Sequence, residues 1–387
     1  MKPTLIRITT VPMALKYLLP GQMHYMQSHG MEVLMISADG KELADVLAQE
    51  QCPHRIVPMT RQITPLQDLK CLWQLIRLFK KVKPSIVHTH TPKAGLLGML
   101  AAKITGVPIR IHTVAGLPLL VEKGFKFQLL KWVEKITYAA ANKVWPNSNS
   151  LLQIIKAQAL TADKKLQVIG KGSSNGIDTA RFNKTALNHE TMDRIKASIQ
   201  YNPSYTYLLC IGRLVTDKGI PELVEVFSQL QSRLPNIRLL LVGSFEETLD
   251  PLPLDTINQI NNNPGIVHIG WTDKVEYYLQ MAQYFVFPSH REGFPNVLLQ
   301  AAAMELPITC SDIEGNSDIV QNQVTGLLFE KGNSQQLLQQ LEFALANPNR
   351  MTEMAAQLYQ IVQSDYQREN IWKNILKEYQ TLLNLKH

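Results

Sequence analysis

Short apolar runs rich in β-branched residues alternate with longer stretches of helical period along this chain, and the alternation occurs twice over. That pattern is restrictive. Strands separated by helix-length crossovers pair in parallel, and a parallel sheet needs helices on both of its faces. In the first half the strands are expected at Leu5–Thr9, Glu32–Ser37, Arg55–Pro58, Ser85–His90, Ile109–Thr113, Lys143–Trp145 and Leu166–Ile169. Helices are expected between them at Leu66–Val82, Lys93–Thr105, Phe127–Asn142 and Ser150–Ala159. The second half repeats the scheme, with strands at Tyr205–Ile211, Ile237–Val242, Ile266–Ile269, Tyr284–Phe287, Pro307–Cys310 and Gly326–Phe329. Its helices are Gly219–Ser232, Val275–Gln283, Pro295–Met304 and Ser334–Ala346, and Met351–Leu385 reads as consecutive terminal helices.

The expected class is therefore α/β, with two doubly wound, Rossmann-like domains, since 387 residues exceed what one hydrophobic core supports. A polar join lies between Phe182 and Tyr205. The expected division is an N-terminal domain over residues 1–190, a C-terminal domain over 191–365, and a terminal helix over 366–387 packing back towards the first domain. Ligands of such sheets sit beyond the carboxyl ends of the strands.

Charge is unevenly shared: residues 1–185 carry a formal +15 and residues 186–387 a formal −8. A basic front half points to an anionic partner. The four cysteines have no paired spacing, which argues against a disulfide framework or a zinc site. No signal-peptide pattern opens the chain, and no apolar stretch approaches the roughly 20 residues that span a bilayer. The expected location is the cytoplasm, on the inner face of the membrane. Neither a G-x-G-x-x-G fingerprint nor a Walker A motif occurs, which disfavours dehydrogenases and P-loop NTPases.

Two segments carry chemistry. In Gly212-Arg213-Leu-Val-Thr-Asp-Lys218-Gly219 a strand meets a glycine turn and a helix opening. Two cations beside a helix N-terminus suit a diphosphate, because the backbone N–H groups there already favour anions. In Glu292-Gly293-Phe294-Pro295-Asn296 a carboxylate stands at the mouth of a second strand-to-helix turn, where it can bind sugar hydroxyls, and Gln300 lies further along the helix. No Asp-x-Asp occurs to hold a divalent ion against a diphosphate, so no metal is expected.

Together these segments resemble the family 4 retaining glycosyltransferases of the GT-B fold. The resemblance extends to Asn175-Gly-Ile-Asp-x(3)-Phe182 and to the loop from Asp312 through Asn316 and Asp318 to Val320. It implies a cleft between the two domains and transfer of a sugar from a UDP-sugar co-substrate with no other cofactor. Arg213 and Lys218 would neutralise the leaving diphosphate, and Glu292 would act at the transferring sugar. Gly212, Gly293, Phe294, Pro295, Asn296 and Gln300 would complete the donor site. The family places a second glutamate where this chain has Gln300, on the nucleotide ribose. An amide carbonyl accepts there too, without charge-assisted strength.

The front half resembles transferases that extend lipid-diphosphate-linked sugars in bacterial capsule and O-antigen assembly, through Val87–Gly98, Arg110–Pro118 and Gly170–Gly176. The resemblance implies a polyprenyl-diphosphate-linked glycan acceptor and an N-acetylated hexosamine or deoxy relative as the sugar. The acceptor-side candidates are His90, Lys93, Gly95 and Gly116, with His112 as the cleft histidine near the transferring sugar. His88 and His90 are expected on opposite faces of their strand, with His90 towards the cleft.

Asp68–Lys83 reads as a basic amphipathic helix, best explained by packing on the sheet, and Gly116–Lys135 as an irregular aromatic and lysine-rich loop suited to a lipid headgroup layer. Two other readings are weaker. A UDP-sugar epimerase needs no acceptor, and a nucleic-acid-binding protein would carry a recognition motif that this chain lacks.

Overall fold

The structure is a computed structural model that describes residues 2–246 and 250–385. It divides into two compact units, Met1–Gly176 with Arg368–His387, and Ile177–Gln367.

The first unit runs β1 (Thr4–Ile8), α1 (Pro12–Leu18), α2 (Gln22–Ser28), β2 (Glu32–Ser37), α3 (Leu43–Glu50), β3 (His54–Ile56) and α4 (Pro65–Val82). It continues through β4 (Ile86–His90), α5 (Pro92–Ile104), β5 (Ile109–Val114), α6 (Gly124–Ala140), β6 (Lys143–Pro146) and α7 (Asn149–Ala157). Its strands form one parallel sheet in the order β3-β2-β1-β4-β5-β6. The order reverses between β1 and β4, so the carboxyl ends of those two strands form the crevice. Both faces are covered. Ile6 and Ile8 of β1 join the core under α4, α5 and α6, and Leu5 points into the opposite core.

The second unit runs α8 (His189–Ser198), β7 (Thr206–Ile211), α9 (Ile220–Arg233), β8 (Ile237–Val242), α10 (Leu254–Asn262), β9 (Ile266–Gly270) and α11 (Val275–Met281). It is completed by β10 (Tyr284–Phe287), α12 (Asn296–Ala303), β11 (Ile308–Asp312), β12 (Leu327–Glu330), α13 (Ser334–Ala346) and α14 (Pro348–Asp365). This sheet is also parallel, in the order β12-β11-β10-β7-β8-β9, and it reverses between β7 and β10. Tyr207, Leu209 and Ile211 fill one core, while Leu208 and Cys210 fill the other. Burial on both faces is why these strands read as unbroken apolar runs.

The last helix, α15 (Arg368–Asn384), belongs to the first unit, where Ile371, Trp372, Ile375, Leu376 and Tyr379 enter its core. Asn175 fastens it. Its side-chain carbonyl accepts from Trp372 Nε1 at 2.6 Å and from Gln22 Nε2 at 3.0 Å, and its amide donates to the Pro20 carbonyl at 3.0 Å.

Three readings change. The division falls after Gly176 rather than at residue 190, because α8 and its flanks pack Ile195 and Ile199 on the second unit's core around Met192. Leu166–Ile169 forms no strand; it touches β6 through a single bridge, Val144 to Leu166, after a 3-10 turn at Asp163–Lys165. The lysine-rich segment is no irregular loop: Pro118–Val121 makes a 3-10 turn and α6 follows it, with Phe125 84% and Trp132 65% exposed. No described helix is long and apolar enough to cross a membrane.

Candidate functional site

The strongest constellation lies at the β7/β10 reversal. After β7 the chain turns at Gly212, passes a 3-10 turn at Thr216–Lys218, and enters α9 through Gly219 at φ +67°. Gly219 is obligatory on two counts: its backbone is left-handed, and a Cβ there would stand 2.8 Å from the Pro288 carbonyl carbon. That close approach brings the segment after β7 against the segment after β10. Lys218 forms an ion pair with Glu292, with side chains 18% and 15% exposed. Its ammonium also lies 5.7 Å from the Phe287 ring centroid.

The same two segments are cross-linked further. His290 N–H donates to the Asp217 carbonyl at 2.8 Å, Arg291 Nε donates to the Asp217 carboxylate at 2.6 Å, and His290 Nε2 lies 2.9 Å from Glu222 Oε1. The Asp312–Asp318 loop closes on the turn from the other side, since a Cβ on Gly315 would lie 2.8 Å from the Gly293 carbonyl oxygen. Asn316 anchors that loop by donating to the Ser311 carbonyl at 2.9 Å, while Ser311 donates to the Ser289 carbonyl. Pro295 caps α12, Phe294 is buried against Tyr366, and Asn296 opens the helix. Gln300 is half-buried one turn further along α12.

The structure thus gathers Lys218, Gly219, Glu292, Gly293 and the Asp312–Asp318 loop at one place. Arg213 engages Glu246 at 3.3 Å, beyond the end of β7. The pairs His290–Glu222 and Arg291–Asp217 escaped sequence reading, because each joins residues about seventy positions apart with no local signature.

The first unit departs more from expectation. His88 and His90 share a face, because strand side chains repeat every second residue. Thr89 takes the other face and meets His112 Nδ1 at 2.8 Å. His112 is not at an open strand end. It lies two residues before the end of β5, buried, with its ring against Tyr138 and against Gly95, where a Cβ would fall 2.9 Å from Nδ1. Gly95 has no side chain, which lets α5 lie against that ring. Lys93 turns inward to Asp68 at 2.8 and 3.0 Å and to Thr60 and Thr64, so its charge is already met. Gly116 follows β5 with open space around it. His90 ends β4, buried, with neither ring nitrogen hydrogen-bonded to a described residue.

On the His88 face lies a buried network that the sequence did not announce. Arg7 donates to His88 Nδ1 and to Tyr379 Oη at 3.2 Å, His88 Nδ1 meets Tyr379 Oη at 2.5 Å, and His88 Nε2 meets Thr113 Oγ1 at 2.7 Å. Burial lowers the affinity of Arg7 for its proton, and the Tyr379 phenol, itself pushed up to about 12 by burial, opposes that. Among the described residues no group of three or more His, Cys, Asp or Glu side chains could hold a metal ion.

Residues 10–148 match the family model described as glycosyl transferase 4-like, and residues 191–361 match that of glycosyl transferases group 1. The capsular polysaccharide biosynthesis glycosyltransferase CapM of Staphylococcus aureus is 36% identical over 367 residues, covering 95% of this chain and 94% of that protein. The chain belongs to this glycosyltransferase family. An Escherichia coli relative, UDP-Gal:alpha-D-GlcNAc-diphosphoundecaprenol alpha-1,3-galactosyltransferase, is 28% identical over 302 residues, 77% of this chain and 76% of its own. The crystal structure of a glycosyltransferase from Rickettsia africae superposes with a TM-score of 0.82 at 19% identity, covering 99% of both chains. This glycosyltransferase therefore has the GT-B architecture, and it is a transferase enzyme.

The buried histidines generate a pH prediction for it. Burial depresses His112 to about 3 and holds His88 and His90 well below 6.5. Unfolded histidines titrate near 6.5, so acidification protonates the unfolded chain first, and stability falls as pH drops below that value. Each histidine contributes up to about 1.4 kcal/mol per pH unit. His54, also lowered by burial, adds to the trend, while Glu134, raised to about 7 by burial, and Glu50, raised by the same cause, act oppositely between their unfolded and folded values and offset part of it. Urea unfolding midpoints should thus decline between about pH 7 and pH 5, and His112→Asn should flatten the decline. Parallel pH profiles for wild type and variant would contradict neutral burial of His112.

Proposed function

We propose that this glycosyltransferase moves a sugar, an N-acetylated hexosamine or deoxy relative, from a UDP-sugar onto a lipid-diphosphate-linked sugar, with retention of configuration. The setting is the assembly of a bacterial surface polysaccharide of the capsule or O-antigen kind. The observation that carries the reading is the Lys218–Glu292 pair at the β7/β10 reversal, under the Asp312–Asp318 loop. CapM, named for capsular polysaccharide biosynthesis, and the Escherichia coli enzyme, named for a UDP-sugar and a diphosphoundecaprenol acceptor, support the substrate classes.

The chemistry follows from charge. Departure of the nucleotide places negative charge on a diphosphate, and a preorganised cation at that position stabilises it more in the transition state than in the ground state. Lys218 supplies that charge from an enclosed position, and Arg213 adds a second from a more exposed one. When a diphosphate takes over Lys218, the Glu292 carboxylate is free to accept from hydroxyls of the transferring sugar. Gly293 and Phe294 present backbone at the turn, and Gly212 lets the chain end of β7 approach the ligand. No metal is needed in this scheme. On the acceptor side the reading retains His90 and Gly116. His112, Gly95 and Lys93 stand behind them: Thr89 meets His112, Gly95 admits its ring, and Asp68 holds Lys93. The exposed aromatics and lysines of α6 suit a membrane surface at the cytoplasmic face, where a lipid-linked acceptor resides. Nucleic acid has no part in it.

The test is a panel of sugar nucleotides, each incubated in EDTA with a polyprenyl-diphosphate-linked sugar. Product is read by mass spectrometry and its anomeric configuration by NMR coupling constants. A single added N-acetylhexosamine or deoxy sugar with the donor's own configuration is expected. Inverted product, a requirement for metal, or a new sugar nucleotide formed from donor alone would overturn the proposal.

Gln300 generates a second expectation. With its amide carbonyl on the ribose, Gln300→Leu should weaken UDP binding by about 0.5–1.5 kcal/mol in calorimetric titration, and Gln300→Glu should bind at least as well as wild type. An unchanged dissociation constant for the leucine variant would remove Gln300 from the donor site.

A further inference from the structure

Beside the β1/β4 reversal of the first unit lies a cavity of about 640 Å³, within the range of built small-molecule sites. Its walls are hydrocarbon: Met13 and Tyr17 from α1, Ile63, Leu96 from α5, and Leu129 and Val133 from α6. A sugar would find few hydrogen-bonding partners there. Polar groups gather where the cavity meets the strand ends. Thr10 and Thr91, joined through their hydroxyls at 2.8 Å, belong to its lining, as does Arg61. Thr91 sits at φ +92°, a left-handed conformation that a β-branched residue adopts at a cost and that clusters at ligand sites. The Arg61 guanidinium contacts Met13 Sδ at 3.4 Å, whereas Lys93, also in the lining, is neutralised by Asp68. The helix that closes the cavity with Leu129 and Val133 turns Phe125 and Trp132 outward among Lys123, Lys126, Lys131 and Lys135.

An apolar slot with the Arg61 guanidinium in its lining, walled by a helix whose outer face is aromatic and basic, is complementary to an anionic headgroup on a branched hydrocarbon chain. We infer that this cavity binds the isoprene units next to the diphosphate of the acceptor, with Arg61 on the diphosphate. The inference rests on the lipid-diphosphate acceptor proposed above. It adds a site that selects the lipid itself, so the enzyme reads the carrier as well as the sugar.

Farnesyl diphosphate tests the site without donor or turnover, so failure of the transfer reading leaves this test intact. Full-length protein should bind farnesyl diphosphate at least tenfold more tightly than pyrophosphate. A diazirine-bearing farnesyl diphosphate should cross-link to peptides from α1 or α6. Leu129→Gln, which makes one wall polar, and Val133→Trp, which fills the space, should each weaken farnesyl diphosphate at least tenfold without shifting the thermal midpoint. Equal affinity for farnesyl diphosphate and pyrophosphate, or cross-links confined to the second unit, would overturn the inference. So would variants that lose sedimentation with anionic phosphatidylglycerol vesicles yet bind farnesyl diphosphate normally, since the face would then dock on a bilayer surface.

Discussion

An ion pair between Lys218 and Glu292 organises the second unit's functional end, and the rest of the proposed chemistry depends on it. Two charges held largely away from water cost desolvation that their mutual attraction recovers only in part. Such a pair is a poor device for stability alone. It is a good device for exchange. In the proposed reading a diphosphate offers Lys218 a partner with more charge, and the carboxylate left behind faces the ligand that displaced it. On that reading the pair sets both side chains in place before the donor arrives, so little reorganisation remains for the reaction itself.

The pair exists because of backbone, not side-chain, complementarity. Gly219 lets the α9 entrance touch the Pro288 carbonyl, and Gly315 lets the Asp312 loop touch Gly293. A Cβ at either position would push apart segments that carry the charged groups. Gly243 does the same for the end of β7, because a Cβ there would lie 2.7 Å from the Gly212 carbonyl carbon. The parallel sheet sets the larger frame. Its strand order reverses once in each unit, and each reversal carries polar groups: Lys218 and Glu292 in one, Thr10 and Thr91 in the other. The first unit adds a buried cation without a carboxylate, Arg7, held by His88 and by the phenol of Tyr379 from the terminal helix. That contact explains why the last helix belongs to the first unit although it follows the second in sequence.

Local pattern revealed the sheets and the donor-side motifs, because both are written in short windows. Glu32–Ser37, Ile237–Val242 and Tyr284–Phe287 match to the residue, each a largely apolar and largely buried run. The helices α1, α2, α3, α8 and α10 do not stand out in the sequence; they are seven to ten residues long, at most about three turns in which to show a period. The acceptor-side residues were harder. Lys93 looks like a free cation until Asp68, twenty-five positions earlier, is placed beside it. His112 looks like the last residue of its strand until register sets it beside Thr89 and under Gly95. Register between strands is a property of the whole sheet, and no short window contains it. Asn175 shows the converse: a motif that resembles family members serves here to hold Gln22, Pro20 and Trp372 together.

The central claim is that Lys218 carries the charge of the departing diphosphate. Steady-state turnover of Lys218→Ala, with saturating donor and a circular-dichroism check of the fold, addresses it most directly. The account predicts a loss in kcat of roughly 10²–10³, the usual effect of removing one preorganised group from a developing anion. A folded Lys218→Ala enzyme turning over at the wild-type rate would contradict it.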